Sequence, residues 1–168
     1  YTTRWLRLMC DIIMGDLRLK DLPRHVVIPA YKLDNNGAGQ QRRKGEVVFM
    51  NNVAPGSGEE RAVDACLRSG AAPTYFRCYQ GHVDGGVFAN NPSACGLPLV
   101  LGSRPQGLGL SPDNVVCLSL GTGHAHKQFV EDPKVIDGGL YQWGVKLLDV
   151  FNSAQLDFCD MLGKNFLG

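Results

Sequence analysis

No apolar run in these 168 residues approaches the roughly 18–20 residues that a membrane-spanning helix needs. Charge of one sign is lacking too: 17 basic and 16 acidic residues leave a formal net charge of +1. No strong field therefore draws the chain to nucleic acid or to an anionic surface. The one basic cluster, Gln40-Gln41-Arg42-Arg43-Lys44, lies in a Gly/Asn-rich stretch and reads as a solvated loop. The six cysteines, at 10, 66, 78, 95, 117 and 159, form no Cys-x-x-Cys and no close pair, which argues against a zinc ribbon and a disulfide scaffold. They are expected to be buried free thiols in a reducing, cytoplasmic compartment. His124-Ala125-His126 has no matching Cys/His cluster, so exposed loop histidines are expected there and no metal. His25 and His82 flank strands without an evident partner. There is no signal-peptide pattern and no initiator methionine. Tyr1 to Trp5 already reads as a helix in progress, so a preceding piece is expected to be missing.

What is present reads as alternating strands and helices. Trp5, Leu8, Met9, Ile12 and Ile13 recur at helical spacing ahead of Gly15, predicting an amphipathic helix over 2–14. His25–Tyr31 and Glu46–Met50 read as strands, separated by the turn signal Asp34-Asn35-Asn36-Gly37. Ser57 is placed to cap a helix running from Gly58 to Ser69, with Gly70 at its end. A short strand leads into Val83-Asp84. Asn91-Pro92 opens a helix to about Leu101. Residues 102–114 read as a surface loop, and Val115–Leu120 as a buried strand running into Gly121-Thr122-Gly123. A helix is expected from about Gly139 to Leu162. Apolar strands alternating with helices argue for an α/β fold with a mostly parallel sheet covered on both faces, in a single domain.

Chemistry concentrates at Asp84. In the stretch Gly81-His82-Val83-Asp84-Gly85-Gly86-Val87, a lone acid sits between valines at a strand end, where α/β proteins gather functional groups. Gly85 and Gly86 allow positive φ and close backbone approach, so the carboxylate is presented rather than buried. Val83, Val87, Phe88, Tyr75 and Phe76 would partly desolvate it and favour a carboxylate that accepts a proton readily. An ordinary Asp-Gly turn explains the same residues.

The ordered set Ser69-Gly70-Ala71-Ala72-Pro73-Thr74-Tyr75-Phe76, Val83-Asp84-Gly85-Gly86-Val87, Asn90-Asn91-Pro92 and Ser119-Leu120-Gly121-Thr122-Gly123 resembles the patatin-like phospholipases. The resemblance runs from about Leu17 to the final helix. It implies a three-layer α/β/α fold and a lipid acyl hydrolase with a Ser–Asp dyad, no catalytic histidine, no cofactor and no metal. Asp84 would be the general base, with Gly85 and Gly86 as binding residues beside it. An acyl-lipid or phospholipid substrate, transient contact with a membrane surface, no nucleic acid and possible self-association complete the expectation. The chain departs from the family pattern in three places. Ser57, Ser69, Ser93, Ser103, Ser119 and Ser153 lack a glycine two positions before. Ser111 has Gly109, but Asp113 stands where the second glycine of a Gly-x-Ser-x-Gly elbow belongs. The glycine-rich oxyanion loop is also absent, and Arg77 follows the aromatic where relatives often carry proline. Residues 1–168 therefore look like the C-terminal part of one patatin-like domain, contributing the acid but not the serine, and are expected to be inactive alone. An inactive lipid-binding or regulatory protein is the alternative, and an acyltransferase a more distant one. Asp137-Gly138-Gly139 is the rival Asp-Gly-Gly, but it lacks the aromatic approach and reads as a helix-entry turn.

Overall fold

A computed structural model describes residues 3–35, 44–121 and 139–167. Helix α1 spans Thr3–Met14 and stops at Gly15, whose φ of 54° leaves the helical region as its N–H reaches the Asp11 carbonyl at 2.9 Å. Strand β1 (Val27–Lys32) pairs along its whole length with β2 (Glu46–Asn51), from Val27↔Asn51 to Lys32↔Glu46. Strand β3 (His82–Asp84) pairs with the other edge of β1, Ala30 facing Asp84. The order is β2-β1-β3.

Both pairings are antiparallel, where a mostly parallel sheet is expected from the sequence. Two local causes are visible. Asn35 N–H bonds the Lys44 carbonyl at 2.9 Å, closing the 33–45 connection into a hairpin that returns β2 alongside β1. Tyr79 and His82 then exchange backbone hydrogen bonds at 2.9 Å across Gln80 (φ 48°) and Gly81 (φ 74°), a two-residue turn with both central residues left-handed. That turn aims β3 back along β1. β2 and β3 run in the same direction, joined by helix α2 (Ala62–Ser69), which packs on β1 and β3.

Helix α2 starts later than Ser57 would have it. Gly58 sits at φ 85°, outside the helical region, and a Cβ there would meet the Lys20 backbone nitrogen at 2.8 Å. Residues 58–62 instead lie against 17–20: Lys20 N–H bonds Gly58 O, Leu19 N–H bonds Glu60 O and Ala62 N–H bonds Leu17 O. Glu59, freed from the helix, pairs with Arg18 at 2.9 Å and Lys20 at 2.8 Å. These cations hold its carboxyl below its ordinary pKa, the Lys20 hydrogen bond contributing most. The core gathers Leu19, Ala30, Met50, Ala62 and Ala65, with Met14, Leu17, Leu22, Val26, Ile28 and Val48 packed around them.

Beyond β3 come the short helix α3 (Gly86–Ala89), α4 (Ser93–Leu101) and α5 (Leu140–Leu167), with α5 packed on α3 and α4. Val115–Leu120 is not a strand. Val115 N–H still bonds Pro112 O, but none of 116–121 pairs its backbone with any described residue. Val116, Leu118 and Leu120 are 99%, 81% and 85% exposed. A β-branched, apolar run becomes a strand only beside a partner that takes its N–H and C=O groups. Of the six cysteines only Cys159 is buried, and Cys66, Cys78 and Cys117 are exposed, against the expectation of buried thiols. Among the described residues no helix is long and apolar enough to cross a membrane.

Candidate functional site

Asp84 ends β3, half-buried, and its N–H is held by the Ala71 carbonyl at 3.0 Å. Its Oδ1 accepts the Gly86 N–H at 2.7 Å, a turn in which the side chain bonds the backbone two residues on. No second hydrogen-bond partner of the carboxylate occurs among the described residues. The glycine pair is explained by space rather than by positive φ. Gly85 has φ −62°, an ordinary helical value. A Cβ at Gly85 would run into the Pro29 carbonyl of β1, and one at Gly86 would stand 3.2 Å from Asp84 Oδ1. The glycines let the chain turn tightly across β1 with the carboxylate folded over the first helical turn.

The apolar surround is looser than the sequence suggests. Phe88 stacks edgewise with Phe49 at 5.8 Å and lies 6.4 Å from Tyr31, but Tyr75 and Val87 are exposed. His82, two residues before Asp84, is buried and places Nδ1 2.7 Å from the Gln80 carbonyl. Burial depresses its pKa below the usual histidine value, with the Gln80 carbonyl opposing the shift and the Arg68 and Lys32 charges adding to it. His82 therefore has a partner, which the sequence did not disclose. Tyr79 donates to Asp64 Oδ1 at 2.7 Å, and burial together with that carboxylate raises its pKa.

A groove of about 760 Å³ opens at the C-terminal end of the helix that follows Asp84. Asn90 to Ser93, Cys117 to Gly121, Val27, Leu156 and Asp160 line it. Asp84 is not among its lining residues. Because the chain turns helical directly after Asp84, it is the Asn90-Asn91 end of α3 that faces the groove. Asn91, buried, accepts from Ser93 N–H at 3.1 Å and from the Ser93 hydroxyl, and donates to Asp160 Oδ1 at 2.9 Å. Gln155 Nε2 donates to the Val87 carbonyl at 3.1 Å. Asp160 and Gln155 thus tie α5 to the segment after Asp84. Their late place in the chain carries no local signal of this role.

Thr122, Gly123, His124, His126, Asp137 and Gly138 lie outside the described residues, as do Gln40 to Arg43. Among the described residues no group of three His, Cys, Asp or Glu side chains is placed to hold a metal ion.

The architecture and site define a class: an α/β protein with a carboxylate at a strand end, released by a glycine pair into a short helix. The chain is 38% identical over 119 residues to Protein teg of Priestia megaterium, covering 71% of this chain and 35% of that protein. It is 33% identical to the putative sporulation hydrolase CotR of Bacillus subtilis, over 94% of this chain and 51% of that protein. A cGAMP-activated phospholipase of Escherichia coli is 32% identical over 73% of this chain and 35% of its own length. Plant patatin-like proteins match at 24% identity. These matches make the chain similar to patatin-like proteins over most of its length. It spans about a third to a half of the length of the curated relatives it matches. No family model matches it, and no solved structure does.

Proposed function

We propose that the chain is the acid-bearing part of a lipid acyl hydrolase that cleaves carboxylic esters of phospholipids or other acyl lipids through a Ser–Asp dyad. The observation that carries this reading is Asp84 itself, an acid at a strand end with one oxygen fixed by Gly86 N–H and no described partner on the other. The name of the E. coli relative supports the lipid substrate. On this reading residues 1–168 are the C-terminal part of one domain. The three-layer, mostly parallel arrangement belongs to the complete domain, and the serine and its oxyanion donors come from outside these residues. Asp84 takes the serine proton as the hydroxyl oxygen attacks the ester carbon. The alcohol leaves with a proton, and water then releases the fatty acid from the acyl-enzyme. As binding residues beside Asp84, Gly86 leaves the space next to the carboxylate free of a side chain and Gly85 lets the turn lie close against Pro29. No metal or cofactor takes part, and contact with the membrane surface is transient.

The test is Asp84→Asn in the full-length protein. An amide cannot take the serine proton, so hydrolysis of a p-nitrophenyl ester is expected to be lost with the fold retained, while Asp137→Asn keeps most of it. Turnover within tenfold of the unmodified protein after Asp84→Asn would overturn the dyad. The 168-residue chain by itself is expected to show no ester turnover, since loss of the nucleophile alone costs about 10⁶-fold in a serine hydrolase.

A further inference from the structure

The six cysteines form no close pair along the chain, but the fold brings two of them together between helices. Helix α1 packs on α2. Ala62, at the start of α2, donates its N–H to the Leu17 carbonyl at 2.8 Å, just past the end of α1. Arg61 reaches from the same end to the Gly15 carbonyl at 3.0 Å and to Asp11 at 3.2 Å. Further along α2, Asp64 accepts from the Tyr79 hydroxyl at 2.7 Å. Arg7, from the first half of α1, lies 6.0 Å from the centre of that same ring. Going forward along α2 therefore means going backward along α1, and the two helices run antiparallel.

Arg7, Cys10 and Met14 follow one another at intervals of three and four and so share one face of α1. Met14 packs against the core that holds Ala62 and Ala65, and these small side chains let the helices approach closely. One turn back from Met14 stands Cys10, half-buried. One turn on from Ala62 stands Cys66, exposed. In an antiparallel pair these two steps lead to the same level. A second observation agrees with this register. Neighbouring atoms desolvate the Cys66 thiol and raise its pKa, and the charge of Cys10 raises it further, so each thiol senses the other.

We propose that Cys10 and Cys66 are a dithiol site that closes into a reversible disulfide and fastens α1 to α2. The co-reactant is a small disulfide such as glutathione disulfide. The Cys66 thiolate, the more accessible, attacks one of its sulfurs, forms a mixed disulfide and expels one glutathione thiolate. The Cys10 thiolate then attacks the Cys66 sulfur and expels the second. Two protein thiols are oxidised, one glutathione disulfide is reduced to two glutathione thiols, and the two protein thiol protons pass to the departing thiolates. The bond acts where α1 most needs an anchor, since its isoleucines face outward and Arg61 holds it by polar contacts. Neither thiol belongs to the proposed dyad, so the inference stands apart from the hydrolase reading.

The experiment maps the bond directly. The folded full-length protein is treated with glutathione disulfide, its remaining thiols are alkylated, and it is digested with trypsin without reductant. A peptide joining residues 8–18 to residues 62–68 is expected, and dithiothreitol is expected to abolish it. Cys10→Ser is expected to leave Cys66 carrying one glutathione. Amide exchange across α1 is expected to slow about tenfold on oxidation of the unmodified protein and to stay unchanged in Cys10→Ser. Cys66 that stays glutathionylated in the unmodified protein, or that joins Cys78 or another cysteine instead, would overturn the proposal. So would a Cys10–Cys66 link no more abundant in the folded protein than in urea, or one that leaves exchange in α1 unaltered.

Discussion

A methyl group on Gly85 has nowhere to go. Its Cβ would overlap the Pro29 carbonyl, and both belong to backbone that cannot swing aside. Gly85→Ala is therefore expected to destabilise the fold by about 1–3 kcal/mol, read as a lower denaturant midpoint, through overpacking and not through φ. Gly86→Ala meets side-chain atoms alone, the Asp84 carboxylate at 3.2 Å and Asn90 Oδ1 at 3.7 Å, so a smaller loss is expected, and a stability change as large as that of Gly85→Ala would contradict this account. His82 supplies a pH dependence. Its folded pKa is lowered from 6.5, chiefly by burial, so the unfolded chain binds the proton first as pH falls. Stability contributed by the neutral ring is complete above about pH 6.5 and is lost on acidification below it. His82→Gln is expected to flatten the change in unfolding midpoint between about pH 7 and 5, and an unchanged slope would exclude His82 as its source.

Among the elements, α1 docks by its polar side. Arg61 reaches Asp11 and Asp16 at 3.2 Å and the Gly15 carbonyl at 3.0 Å, and Arg7 lies 6.0 Å from the Tyr79 ring centre. The stripe Trp5, Met9, Ile12 and Ile13 faces outward instead, with the two isoleucines 75% and 76% exposed. Arg61→Ala is expected to cost about 1 kcal/mol and to accelerate amide exchange in the last turn of α1. Ile12→Gln is expected to change stability by no more than about 0.5 kcal/mol, despite removing a large aliphatic side chain. A loss of several kcal/mol would mean that the stripe is covered in solution.

For the whole molecule the open question is what pairs with Val115–Leu120. Residues 116–120 are uncharged, exposed and without backbone partners among the described residues, the condition in which extended chain pairs with another copy. The 168-residue chain is expected to self-associate in a concentration-dependent way by sedimentation velocity, and Leu118→Lys to reduce that association by placing a charge on the edge. Equal association in both proteins would move the contact elsewhere, with the outward stripe of α1 the next surface to vary.

Local chemistry was enough to mark α1 and its stop at Gly15, the two strands of the hairpin, the helix after Asn91-Pro92 and Asp84 at the end of β3. Each is set by side-chain periodicity, a proline or a glycine within a few residues. Strand direction was not legible, because it depends on how the 33–45 connection and the Gln80-Gly81 turn close, and an apolar run reads alike in either sense. Nor was the start of α2, fixed by the contact of Gly58 with Lys20 from a distant segment. The reason for two glycines after Asp84 was likewise tertiary, since it lies in the Pro29 carbonyl and not in φ. Val115–Leu120 shows the limit most plainly: its composition determines that it can be a strand, and only a neighbour that takes its backbone hydrogen bonds makes it one.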